Sequence, residues 1–415
     1  MFQFIHAADI HLDSPLRGLE RYEGAPVEEI RLATRRALEN LIGLALDKKV
    51  AFVLIAGDLF DGDWRDYNTG LYFAKQMSRL REGNIPVFIV KGNHDAANKM
   101  SKSLKMPDNV RVFSHLKPET FQVESCNVAI HGQSFSAAAM LKNLAEGYPD
   151  SLFGCFNIGV LHTCATGREG HERYAPCTMS DLLAKGYDYW ALGHVHKREV
   201  LNQDPLVIFP GNIQGRHIRE TGPKGCTVIT VDDKNRTTES FEELSVLHWE
   251  HCLVDVSGAI SGDDVLATVG ETLSQLVREH ADAPMAVRVE LVGACTADSL
   301  LRSGIEHWTN QIRAIATDCA GDQIWVEKVK FHTSAARTPA NRAALDGPVG
   351  ELLQVIAELS SNAEQLGTVR DELADLEKKL SSEVKELMGW NDEDFLRDLL
   401  HDVQDILLDR LAPKG

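Results

Sequence analysis

The sequence predicts an α/β fold, a layered β-sheet sandwich flanked by helices, and three observations carry that prediction. Apolar, β-branched runs recur at FQFIHAAD (2–9), AFVLIAGD (51–58), IPVFIVKGNHD (85–95), CFNIGVLH (155–162) and YDYWALGHVH (187–196), and near-continuous runs of this kind suit strands buried on both faces. The segments between several of them, such as 27–48 and 69–82, carry apolar residues at helical spacing among Leu, Ala, Arg and Glu. Every run ends in polar residues, and in layered α/β sheets the carboxyl ends of strands are where ligands gather.

Further β runs follow at PLVIFPG (205–211), GCTVITVDD (225–233) and TTESFEEL (237–244), which closes the first domain near residue 245. A second, over 246–336, reads strand (HCLVDVSG), helix (263–280), strand (MAVRVELVG), helix (298–317), strand (QIWVEKVKF), a small β-α-β-α-β unit. The stretch TSAARTPANRAALDGPVG then reads as a linker, and 337–415 as linker plus helical tail. Leu352, Ile356, Leu359, Ala363 and Leu366 form a stripe spaced by four and three residues, continued by Leu373, Leu376, Leu380, Val384 and Leu387. A last amphipathic segment carries Phe395, Leu399, Val403, Ile406 and Leu407.

A chain of 415 residues, 44% hydrophobic and 25% charged, is long enough for two or three cores. No window approaches the roughly 18 consecutive apolar residues of a membrane span, and the start of the chain reads as lacking a signal peptide. Eight cysteines without a CxxC pair argue against zinc knuckles and a disulfide framework, so a reducing cytoplasm is the expected compartment. The formal net charge is −18, but residues 341–415 hold 8 Lys and Arg against 17 Asp and Glu, so −9 of it lies in the tail. The remainder is only mildly acidic, and binding to a polyanion needs only a local basic patch.

The strand ends supply, in order, D-x-H (Asp9, His11), G-D-x-x-D (Asp58, Asp61), G-N-H-D (Asn93, His94, Asp95), His162, and G-H-x-H (His194, His196). One such group is usually a turn or a hydrogen-bonded structural residue; five at the same end of one sheet system point to metal. Asp9, His11, Asp58, Asn93, His162, His194 and His196 are more donors than one tetrahedral zinc holds, so two ions about 3.5 to 4 Å apart are expected, with Asp58 bridging. Imidazole, carboxylate and amide donors together suit manganese, iron or zinc better than magnesium. His94, beside a ligand, is placed to protonate a leaving oxygen, and Asp95 either orients it or holds a turn. Gly57, Gly92 and Gly193 are expected to permit tight turns facing the site.

The ordered blocks resemble the calcineurin-like metallophosphoesterases. The longer wording HAADIHLDSPLRGL, IAGDLFD, VKGNHD, YAPC, LGHVHKREV and PGNIQGRHIRETGPKGC resembles the bacterial DNA repair exonucleases of the YhaO and SbcD type, over residues 1 to about 230. The resemblance implies one metal on Asp9, His11, Asp58 and His196 and a second on Asp58, Asn93, His162 and His194, with His94 the catalytic histidine. It also implies manganese-dependent hydrolysis of DNA phosphodiesters, as a 3′–5′ exonuclease with endonuclease action left open. The 246–336 unit is then a DNA-binding cap, and the tail docks on an SMC-like ATPase of the SbcC or YhaN type; the bacterial relatives imply a nucleoid-associated cytoplasmic protein. Homodimerisation is left open. Archaeal relatives carry a His where this chain has Asp61, so that residue contacts phosphate or only holds its loop. Arg17, Arg65, Lys99, Lys102, Arg168, Arg173, Lys197, Arg198, Arg216 and Arg219 lie near the motifs and form a candidate phosphate track. His217 touches substrate or structures its loop, and Tyr22, Trp64 and Tyr174 are stacking or core residues. The competing readings are a phosphoesterase on nucleotides or other small phosphoesters, and a non-enzymatic scaffold.

Overall fold

The computed structural model describes residues 1–14, 32–60, 67–97, 106–165, 175–280, 284–336 and 348–380, with positions 390, 395–397, 399–400, 403–404 and 407. Asp61, the cationic candidates Arg17, Arg65, Lys99, Lys102, Arg168 and Arg173, and Tyr22, Trp64 and Tyr174 lie outside the described residues, as do 337–347 and much of the end of the tail, including Val384, Leu387 and Ile406.

In chain order the structure runs β1 (Phe2–Ala7), α1 (Ala33–Lys48), β2 (Phe52–Ala56), α2 (Tyr67–Glu82), β3 (Val87–Val90), α3 (Asn93–Ala97) and β4 (Val110–Val112). It continues through β5 (Glu119–Val123), β6 (Val128–Gly132), β7 (Phe156–His162), α4 (Met179–Leu183), β8 (Tyr189–Gly193), β9 (Glu199–Gln203), β10 (Leu206–Phe209), β11 (Gly225–Val231) and β12 (Thr237–Glu243). Two six-stranded sheets result, ordered β12-β11-β1-β2-β3-β4 and β5-β6-β7-β8-β10-β9. β1, β2, β3 and β4 run parallel, as do β6, β7, β8 and β10.

The sheets face each other across a core of Phe4, Phe52, Leu54 and Phe88 on one side and Ile130, Phe156, Ile158, Val160 and Ile208 on the other. Phe4 and Phe52 stack with centroids 4.9 Å apart. The alternate residues of the first sheet, Ile5, Val53, Ile55 and Ile89, turn outward onto Leu38, Leu41 and Ile42 of α1 and Phe73, Met77 and Leu80 of α2. Trp190, Leu192, Val207 and Phe209 do the same on the second sheet, beneath Tyr148 and Tyr187. Strands apolar on both faces therefore have a partner layer on each, as the sequence pattern predicts. The predicted helix over 27–48 is described from residue 33, and β4, β5, β6 and β9, which no run identified, complete the sheets.

His6 of β1 lies in this interior, with Nδ1 2.8 Å from the Tyr189 hydroxyl and Nε2 3.1 Å from the Leu192 carbonyl oxygen. Burial holds its pKa down at about 3, so it is a neutral packing residue.

The structure divides into two compact units, Met1–Gly293 with Ser299–Thr333, and Ala294–Asp298 with Ser334–Gly415. β13 (His248–Asp255), β14 (Met285–Cys295) and β15 (Ile324–Ala335) form a three-stranded sheet in that order, with α5 (Gly262–Glu279), α6 (Asp298–Ser303) and α7 (Ile305–Ala320) between the strands, all of it in the first unit except the end of β14, the first residue of α6 and the end of β15. The predicted helix 298–317 is thus two helices, parted at Gly304. Ser261 caps α5 in a reciprocal capping box with Asp264. In the second unit, α8 (Pro348–Ser361) and α9 (Ala363–Glu372) contribute to an apolar cluster. Its buried members are Ile356, Leu366, Leu396 and Leu400, with Leu352, Leu359, Leu373, Phe395 and Leu407 against them. Of the stripes read from the sequence, Leu352, Ile356, Leu359, Leu366, Leu373, Phe395 and Leu407 take part, whereas Leu376 and Val403 are exposed. Among the described residues no helix is long and apolar enough to cross a membrane.

Candidate metal centre

The loops leaving β1, β2, β3, β7 and β8 meet at the carboxyl ends of the two sheets. The Asp9 N–H donates to the Gly57 carbonyl at 3.0 Å, His11 N–H to Asp58 at 3.0 Å and Leu12 N–H to Leu59 at 2.9 Å, which zips the D-x-H loop to the G-D loop. This path forces four side-chain-bearing residues into positive φ: Asp9 at 50°, His11 at 43°, Asp58 at 50° and His194 at 104°. Such conformations persist only where surrounding contacts over-determine them, and they cluster at functional sites.

Two groups of potential ligands result, Asp9 with His11 and His196, and Asp58 with His162 and His194, the ligand atoms of each lying within 4.8 Å of one another. In the first, His11 Nε2 is 3.2 Å from His196 Nε2, and His196 Nε2 is 3.9 Å from Asp9 Oδ1. In the second, His162 Nε2 is 2.9 Å from Asn93 Oδ1 and 3.3 Å from Asp58 Oδ2. The His162 Nδ1–H donates to the Ala56 carbonyl at 2.9 Å, tying the second sheet to β2 and turning Nε2 toward the carboxylate. All seven sequence-predicted ligands are therefore brought together, with Asn93 beside the second group. Lone pairs converge on both points from imidazole, carboxylate and amide, and a cation fits that donor set.

The electrostatics agree. Burial raises the Asp9 carboxyl, against the lowering effect of His196 and His162. Asp58 is likewise desolvated, yet His162, His11 and His94 together hold it well below the usual carboxylate range. Burial alone would lower His162, but the charges of Asp58 and Asp9 outweigh it and push it up to about 9. The field that attracts this proton also attracts a metal ion.

The glycines act by close approach more than by turn geometry. Only Gly57 has positive φ, at 100°. A Cβ on Gly92 would sit 2.3 Å from Asp58 Oδ1, and one on Gly193 would sit 1.9 Å from the Ala56 carbonyl oxygen. Gly193→Ala should therefore displace the carbonyl that fixes His162, cost about 3 kcal/mol of stability and weaken the Asp58/His162/His194 group. Thermal denaturation and metal titration check this; a variant with wild-type melting and metal content would contradict it.

His94 is half-buried, its N–H donating to Asp58 Oδ1 at 3.0 Å and its ring edge-on to that of His11, centroids 5.0 Å apart. Asp95 takes the turn-holding role: its carboxylate accepts N–H bonds from Leu59 and Phe60 at 3.0–3.1 Å and from Gly92 at 3.2 Å, binding the G-D loop to the G-N-H-D loop. Burial and the neighbouring Asp58 charge push it up to about 6. Arg216 Nη2 is 3.6 Å from Glu220 Oε1 and 3.4 Å from His196 Nδ1, close to the first group. His217 is part-exposed, Nε2 3.5 Å from the same carboxylate oxygen, and its Nδ1 accepts the Arg219 N–H at 3.3 Å. Arg198 pairs with Glu239 and lies over the Phe241 ring, which engages it at β12.

Sequence reasoning missed two anchors. Asp13, in the stretch ADIHLDS, receives Arg35 through two bonds of 2.6 and 2.5 Å as well as the Thr69 hydroxyl, bolting the D-x-H loop to α1 and α2. Glu220 lies 2.5 Å from His196 Nδ1. Neither contact had a local signal, because Arg35, Thr69 and His196 are 22 to 56 residues away from the carboxylate each one meets.

Residues 2–198 match the family described as calcineurin-like phosphoesterase, and residues 249–334 match the middle domain of the metallophosphoesterase YhaO. The chain is 40% identical over 294 residues to the metallophosphoesterase YhaO of Bacillus subtilis, covering 70% of this chain and 71% of that one. It is 24% identical over 335 residues to the DNA double-strand break repair protein Mre11 of Sulfolobus acidocaldarius, covering 74% and 81%. To the SbcD component of the nuclease SbcCD of Staphylococcus epidermidis it is 21% identical over 272 residues, covering 59% and 70%. The chain belongs to the calcineurin-like metallophosphoesterases, metal-dependent phosphoester hydrolases that use two divalent metals. Its relatives in name include YhaO, Mre11 and SbcD, with YhaO the one that shares 40% identity.

Proposed function

We propose that this chain is a DNA nuclease of the DNA repair machinery that hydrolyses phosphodiester bonds with two divalent ions, manganese foremost, acting as a 3′–5′ exonuclease with endonuclease action open. The convergence of six donors into two groups of three, with Asn93 beside the second, carries the reading. Asp9, His11, Asp58 and His196 would hold one ion, and Asp58, Asn93, His162 and His194 the other. Bound there, the ions would supply Lewis-acid charge to the phosphoryl oxygens.

The chain's own residues supply the rest. His94 stands at the rim with its backbone fixed on Asp58, so its imidazole meets the scissile phosphate side-on and gives a proton to the leaving oxygen. Asp95 keeps the two loops in register. Arg216 and the exposed Lys197 extend positive charge from the site along a phosphate backbone. The names of the Mre11 and SbcD relatives support DNA as the substrate. Residues 246–336 are read as the cap that orients DNA, in keeping with the separate match over 249–334.

The test is digestion of end-labelled double- and single-stranded DNA with added Mn²⁺. Salt-sensitive cleavage supports the nuclease. Intact DNA, alongside turnover of bis-p-nitrophenyl phosphate, would transfer the activity to nucleotides or other small phosphoesters; neither activity would leave the scaffold reading.

The tail is read as the dock for an SMC-like ATPase; the SbcCD relative is by its name one subunit of a larger nuclease. Its own packed cluster is consistent with an independent helical unit that presents an outer face. Deleting 345–415 should leave Mn²⁺ binding intact and abolish co-purification with the ATPase. Loss of metal binding on deletion would instead make the tail part of the catalytic fold.

A further inference from the structure

We propose that Glu220 is a positioning residue that fixes His196 with its proton on Nδ1 and its lone pair on Nε2, and so makes the Asp9/His11/His196 group competent to take a divalent cation. The inference rests on the two-ion reading above. Glu220 is buried, 6% exposed, and each of its oxygens is committed. Oε1 lies 2.5 Å from His196 Nδ1, while Oε2 accepts the Asn212 amide N–H at 2.9 Å and the Arg216 backbone N–H at 2.7 Å. An ionised carboxylate only accepts, so across this much shorter contact the imidazole donates from Nδ1, and the Arg216 guanidinium, 3.4 Å from that nitrogen, pairs with Oε1 at 3.6 Å. Nε2 then turns its lone pair toward His11 Nε2, 3.2 Å away. Carboxylates that grip the far nitrogen of a ligating histidine set its tautomer, its ring orientation and its basicity.

The loop carrying Glu220 is braced independently of the cluster. Trp249, fully buried at the start of the three-stranded sheet, donates its indole N–H to the Gly215 carbonyl at 3.0 Å and accepts the Gly222 N–H at 3.1 Å. Gln214 donates to the Leu247 carbonyl at 2.7 Å and accepts the Val246 N–H at 2.9 Å. A substitution that keeps the shape of Glu220 should therefore leave the loop in place.

Glu220→Gln does so and reverses the polarity at one atom. The two N–H donors hold the amide oxygen at the Oε2 position, so the amide nitrogen faces His196 Nδ1 and makes it an acceptor. The imidazole proton moves to Nε2 and covers the ligand atom. The test uses the full chain with and without this change: calorimetric titration of the metal-free protein with Mn²⁺, and imidazole ¹⁵N spectra of the same metal-free samples.

The expected result is two ions on the wild type. On the variant one ion should bind unchanged and the other 10- to 100-fold more weakly, with His196 switched from an Nδ1–H to an Nε2–H pattern and the melting temperature preserved. Two ions at wild-type affinity with an unswitched His196 would overturn the proposal. So would loss of both ions with a lowered melting temperature, the mark of a merely structural residue. If the wild type takes up no Mn²⁺, the two-ion reading falls whatever the variant does; if both proteins take up two ions equally, only the Glu220 assignment falls.

Discussion

Replacing Asp58 by Ala should reduce phosphodiester turnover by about a thousandfold or more, equivalent to about 4 kcal/mol of transition-state stabilisation, and lower the bound metal from two ions to at most one. Its Oδ2 faces His162 at 3.3 Å and its Oδ1 holds the His94 N–H at 3.0 Å, while its backbone carbonyl accepts the His11 N–H. The carboxylate thus touches the second ligand group and the His94 backbone, and the Asp58 main chain holds the His11 loop, so as the proposed bridge its loss is not confined to one ion. The buried His162 also loses the charge that raises its pKa. Elemental analysis and turnover of bis-p-nitrophenyl phosphate measure the two effects together. An Asp58→Ala chain that kept two ions would remove the bridging role.

His94→Ala should behave differently: activity falling by about 10²- to 10⁴-fold, the usual worth of a positioned general acid, with metal content unchanged. His94 lies outside both ligand groups and meets them through its backbone bond to Asp58 and its ring contact with His11. Removing its imidazole therefore leaves seven donors in place. The comparison of activity with metal content separates acid from ligand. Equal loss of metal in His94→Ala and Asp58→Ala would make His94 a ligand or a structural support instead.

What was legible in the sequence follows from which interactions are local. Strand runs of alternating commitment, such as FVLIA in β2, announce themselves because both faces are buried and every residue is apolar. Three of the strands without such a run lie at sheet edges, β4 with three residues and β5 and β9 only part-buried, whereas β6, VAIHG, is a buried inner strand whose apolar run is cut short by His131 and Gly132. The seven candidate ligands were readable because each sits immediately beyond or at the end of a strand, so the chain direction alone sends them to one end of the molecule. Asp13 and Glu220 were not, since Arg35, Thr69 and His196 arrive from distant parts of the chain, and the Arg216 and His217 beside Glu220 do not announce its meeting with His196. The glycines were found for an incomplete reason. Their φ angles were expected to matter, whereas at Gly92 and Gly193 the decisive fact is the neighbouring atom, Asp58 Oδ1 in one case and the Ala56 carbonyl in the other, which only the fold reveals. The tail shows the same divide. The spacing of Ile356 and Leu366 predicts an apolar stripe, but that the stripe closes on Leu396 and Leu400 depends on tertiary contacts.

The proposed chemistry depends on two divalent ions held side by side at the carboxyl ends of the two sheets. Crystals of the full chain grown with Mn²⁺ and measured at the manganese absorption edge test it most directly. Two anomalous peaks about 3.5 to 4 Å apart are expected, one against Asp9, His11 and His196 and the other against Asn93, His162 and His194, with Asp58 touching both. A single peak, or none within reach of these residues, would contradict it.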